Sequence, residues 1–157
     1  MTIKIPKLLL ILALGVSGAL ACKKSGGGSG GNAPLAIPGL GVTAQAPEGS
    51  TVDKAIIGDG MTITGPDLRA TVSAAGKDNP KTLAEAKDKN SLYSPTNWTE
   101  ETLPDGWAVT FQNHGAMGTN YWVQVRRTIG AKAIWCEANV NDDASAAAGL
   151  AACKSLK

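Results

Sequence analysis

The sequence has one histidine, one phenylalanine and three cysteines in 157 residues. A zinc site takes about four ligands, commonly clustered Cys and His, and so scarce a set points to no metal and no cofactor. A Ser-His-acid triad would have to recruit His114, which stands beside Asn113 and Gly115 in what reads as a solvated loop. Paired-carboxylate chemistry is missing too. Glu100 and Glu101 are adjacent, and neighbours on a strand point to opposite faces. The Gly58-Asp59-Gly60 turn and the glycine tract lack the lysine and spacing of a phosphate loop. Charge of one sign is also lacking. There are 15 basic and 13 acidic residues, and Lys4 and Lys7 account for the excess. The balanced remainder argues against nucleic-acid binding, which needs a basic patch, and against a polybasic membrane-surface protein. No apolar run reaches the roughly 20 residues of a membrane-spanning helix.

What the chain does have begins at its N-terminus. Lys4 and Lys7 precede an uncharged apolar run, Leu8 to Ala21, of the length of a signal-peptide core. The run ends in Ala19-Leu20-Ala21-Cys22, which resembles the bacterial lipobox. That resemblance implies removal of residues 1–21 and attachment of a lipid, with palmitate-type acylation, to Cys22. It departs from the common pattern at Ala19, where Leu is more usual. An ordinary secretory signal with an incidental Cys22 is the other reading. The next stretch, Lys23 to Asn32, has no large apolar side chain, so it is expected to be a flexible coil with a reach on the order of 15–20 Å, within a tether spanning residues 22–37. No Asp follows Cys22, which by the enterobacterial sorting rule favours the outer membrane.

Residues 38–157 read as a single globular domain. Alternating apolar residues predict strands from Leu40 to Ala46, Val52 to Ile57, Met61 to Ala74 with a break at Gly65-Pro66-Asp67, Trp98 to Leu103, Trp107 to Gln112, Tyr121 to Thr128 and Ala131 to Val140. Asn79-Pro80 suits a helix start, with Leu83, Ala84 and Ala86 as its apolar stripe and Asn90 as its end. Asn141-Asp142-Asp143 starts a final helix whose buried face carries Leu150, Cys153 and Leu156. A calcium site at these acids is a weaker reading than a helix cap. The fold class is therefore α+β: an antiparallel sheet carrying a mid-chain helix and a C-terminal helix, in the order β-β-β-α-β-β-β-β-α. This layout resembles the PsbP-like fold, which implies binding and assembly rather than catalysis. No site residue carries over.

Cys136 shares a strand face with Ile134 and Ala138, and Cys153 lies on the following helix's apolar stripe. The expectation is a Cys136–Cys153 disulfide, with two buried free thiols as the alternative. All the aromatics lie between Tyr93 and Trp135. Trp122, Gln124 and Arg126 share the more polar face of their strand, a recognition surface unless a helix covers it. The functional expectation is a membrane-anchored envelope lipoprotein. It would bind an envelope protein or small ligand without catalysis, held to the membrane by the lipid on Cys22 and making no use of nucleic acid. The alternative is a small envelope enzyme or ligand carrier with a site near His114, Trp122 and Arg126.

Overall fold

The computed structural model describes residues 31–116 and 118–157. The signal segment 1–21, Cys22 and most of the expected tether lie outside them. The elements are β1 (Asn32–Ile37), β2 (Val42–Pro47), β3 (Thr51–Lys54), β4 (Met61–Gly65), β5 (Leu68–Ala74), α1 (Leu83–Asn90), a 3-10 turn (Ser91–Tyr93), β6 (Thr96–Leu103), β7 (Gly106–Gly115), β8 (Gly118–Ile129), β9 (Lys132–Val140) and α2 (Asp143–Lys154). β1 and β2 form a separate hairpin, and the other strands form one seven-stranded sheet in the order β3-β4-β5-β9-β8-β7-β6. Every pairing is antiparallel. The fold is the expected α+β sheet with a mid-chain and a C-terminal helix.

Three local readings change. Residues 32–37, expected to belong to the tether, form β1 and pair with β2 from Asn32↔Pro47 to Ile37↔Val42. Ile37 is buried there, so the folded domain includes these six residues before residue 38. The strand expected from Val52 to Ile57 ends at Lys54, whereas the break expected at Gly65-Pro66-Asp67 does divide Met61 to Ala74 into two strands, folded on each other at Gly65↔Leu68 with Asp67 in the left-handed region at φ 50°. α1 begins at Leu83, later than the expected Asn79-Pro80 start. Thr82 caps it by accepting the Glu85 N–H at 3.2 Å, and the Glu85 carboxylate accepts the Lys81 N–H at 2.7 Å, close to a capping box. Asn79 accepts the Gly76 N–H at 2.7 Å instead and closes a turn.

The period-2 alternation sorts the sheet into two faces. On one, Ile63, Leu68, Ala70, Val72, Val123, Val125, Ile134, Cys136 and Ala138 are buried against α2 and the β1–β2 hairpin. α2 crosses β5, β9 and β8 and touches β2. It comes close because position 149 is glycine; a Cβ there would stand 3.1 Å from that of Ala138. Cys136 and Cys153 meet at this contact as a disulfide with a Cα–Cα distance of 5.5 Å. The helix is held at both ends. Asp142 accepts the Ser145 N–H at 2.8 Å. Arg127, bidentate on Asp105 at 2.6 and 2.9 Å, donates to the Lys154 carbonyl, where a cation suits the helix dipole. The C-terminus is pinned as well: Thr43 and Lys157 exchange backbone bonds of 2.9 and 3.0 Å.

Candidate functional site

The sheet's other face carries most of the aromatic residues. Trp98 of β6, Phe111 of β7, Trp122 of β8 and Tyr93 of the 3-10 turn stack in sequence, with ring centroids 5.2, 5.9 and 5.9 Å apart. The row follows from register: Phe111 stands opposite Trp122, so two alternating strands place flat rings side by side. Trp107 and Trp135 meet edge to face at 5.7 Å one row away. Such offset and edge contacts are the favoured aromatic geometries. Polar handles are satisfied locally. The Trp122 indole donates to Asn113 at 2.9 Å, Trp135 to Glu137 at 2.9 Å and Trp98 to Glu100 at 2.7 Å.

α1 lies across this face and occupies most of the recognition surface expected at Trp122, Gln124 and Arg126. Gln124 is buried and exchanges two amide hydrogen bonds, of 2.8 and 3.2 Å, with the equally buried Asn90. Arg126 donates to the Pro80 carbonyl at 3.4 Å. Trp122 is half-buried under Tyr93. The inward stripe of α1 is half-buried Leu83 with buried Ala86 and Asn90, at i, i+3 and i+7, while Ala84 is exposed. The sequence signal for this was Asn90 in register with that stripe, where it reads equally well as a helix end.

Beyond Trp122 the face is open. A shallow hollow of about 220 Å³ is lined by Trp122 of β8, Glu137 and Asn139 of β9, and Arg69 and Thr71 of β5. The ladder puts Trp122 opposite Asn139 and Glu137 opposite Thr71. Arg69, two residues before Thr71, shares its face. Arg69 is exposed and has no ion-pair partner among the described residues. A cation, a carboxylate, an amide, a hydroxyl and an indole therefore share one concavity. That suits polar recognition beside an aromatic surface. Arg69 and Asn139 were missed from sequence because their juxtaposition depends on β5 pairing with β9.

His114 lies at the end of β7 rather than in a loop, exposed, with Nδ1 3.0 Å from the Thr119 hydroxyl. Arg126 stands opposite Trp107, seven strand positions from His114, or about 23 Å at the usual rise. The structure does not bring His114, Trp122 and Arg126 together. Glu100 and Glu101 do face opposite ways, to Trp98 and to Lys154 respectively. Asp142 is held below its ordinary value by hydrogen bonds from the Ser145 N–H and hydroxyl, as a helix cap should be. Among the described residues no three His, Cys, Asp or Glu side chains converge. No protein-family model matches the chain, and no curated protein matches it.

Proposed function

We propose that the chain is an exported lipoprotein, anchored through a lipid on Cys22, whose folded domain is a non-catalytic binding or assembly module of the bacterial cell envelope. The observation that carries this reading is the Cys136–Cys153 disulfide. Disulfides persist in oxidising compartments such as the periplasm, so the bond supports the export that the run Leu8 to Ala21 encodes. It also leaves Cys22, the third cysteine, outside the pair and directly behind Ala19-Leu20-Ala21. The resemblance to the lipobox assigns that cysteine its lipid, and the resemblance to the PsbP-like superfamily favours a binding role. The absence of Asp after Cys22 favours the outer membrane, with the domain facing the periplasm or the cell surface.

The ligand surface in this reading is the hollow beside Trp122, where Arg69, Thr71, Glu137 and Asn139 offer donors and acceptors to a small polar ligand or an envelope protein. Native mass spectrometry of protein gently extracted from bacterial membranes tests the proposal. The expected species starts at Cys22, carries acyl mass and lacks the two hydrogens of a disulfide. A chain that keeps residues 1–21, or starts at an unmodified Cys22, refutes the anchor. A co-travelling mass that is lost in Arg69→Ala identifies the ligand.

A further inference from the structure

The hairpin joining β3 to β4 carries the most exposed large apolar side chains among the described residues: Ile56 is 90 % and Ile57 89 % accessible. The loop beneath them is closed. Ala55 donates its N–H to the Gly60 carbonyl at 3.0 Å, and Ala55 is itself buried. Gly60 lies so close to β5 that a Cβ would stand 2.5 Å from the Val72 carbonyl. Gly58 and Gly60 hold φ of 77° and 127°, conformations that suit glycine. The backbone thus presents two adjacent isoleucines outward from a fixed tip. Scattered exposed apolar residues are ordinary, whereas neighbouring ones at a tip mark a contact.

We infer that the Ile56–Ile57 tip is a second membrane contact, dipping into the acyl boundary of the bilayer that holds the lipid on Cys22. This rests on the proposed lipid anchor. The chain outside the described residues sets the geometry. Asn32 opens β1 opposite Pro47, four residues before β3 begins at Thr51, and the tip lies one short strand and a loop from Thr51, about 15–20 Å along the chain at the usual rise. Ten residues take the chain from Cys22 to Asn32, and a flexible coil of that length would have a root-mean-square reach of about 16–19 Å. A domain standing on its tip therefore holds Asn32 at the height the tether spans without stretching. The charges nearest the tip, Asp53, Lys54 and Asp59, sum to one negative charge, so no basic cluster draws it to anionic lipid. The contact is apolar and should be insensitive to salt and to anionic lipid, unlike a polybasic one.

The test reconstitutes the full mature protein, purified from bacterial membranes, into phosphatidylcholine vesicles doped with a photoreactive acyl chain. Adducts are then mapped by peptide mass spectrometry, with the Cys22 peptide read in the same spectra. The expected result is adducts on residues 55–60, unchanged on raising the salt. They should fall roughly tenfold in Ile56→Ser/Ile57→Ser, which removes most of the apolar burial. Both side chains are exposed, so this variant should keep its disulfide and melting temperature. An acylated Cys22 without adducts at 55–60 overturns the tip contact and leaves the anchor standing. An unacylated Cys22 overturns both. Adducts that survive the double substitution, or a dimer in solution that the substitution dissolves, also refute the bilayer as the tip's occupant.

Discussion

α1 is short and carries only Ala86 and Asn90 fully buried, so its attachment to the sheet rests heavily on the Asn90–Gln124 amide pair. Asn90 donates to the Ala86 carbonyl and to Gln124 Oε1, both at 2.8 Å, and accepts from Gln124 Nε2 at 3.2 Å. A buried hydrogen bond contributes about 0.5–1.5 kcal/mol, and an abandoned buried partner costs about 1–3 kcal/mol. Asn90→Ala or Gln124→Leu should therefore each cost about 2–3 kcal/mol. In the double variant Asn90→Leu/Gln124→Leu no amide is left stranded. Its cost should fall short of the sum of the Asn90→Leu and Gln124→Leu single changes by about 1–2 kcal/mol. The assay is a double-mutant cycle by urea denaturation, followed through tryptophan fluorescence. Hydrogen exchange of residues 83–93 would report whether α1 loosens alone or with the sheet. Single costs that add to within about 0.3–0.5 kcal/mol would refute direct coupling of the two amides.

Trp122→Ala removes the ring that joins Phe111 to Tyr93 in the aromatic row and its bond to Asn113; an expected loss of about 2–4 kcal/mol is read from the urea midpoint. Serine at both Cys136 and Cys153 opens a loop of 17 residues' separation and should cost about 3 kcal/mol, measured as a lower melting temperature that reductant no longer shifts. Gly149→Leu forces a side chain against Ala138 and should cost about 1–3 kcal/mol through overpacking, again by melting. Because the folded-state pKa of Asp142 is lowered, its contribution is present above the unfolded value near 3.9 and is lost as pH falls through the folded value. Asp142→Asn keeps a cap and should flatten that part of the acid-unfolding curve below about pH 4; identical curves would refute the capping role.

Much of this was legible in the chain because the signals are local. Alternation in Trp107–Phe111 and in Tyr121–Arg126 assigned each side chain its sheet face, and Asp142 marked the start of α2 by composition. The disulfide was readable too, since Cys136 and Cys153 each lay on a buried stripe of consecutive elements. Other features were not local. β1 is short, carries Pro34 and shows no clean alternation, so only its partner β2 makes it a strand. Whether Gln124 faces solvent or Asn90 depends on where the segment after β5 crosses the sheet. Arg69 and Asn139 become neighbours only because β5 pairs with β9, across more than 60 intervening residues. Periodicity fixes which way a side chain points. Which strand lies beside it is decided by long-range burial, and that exists only in the folded chain.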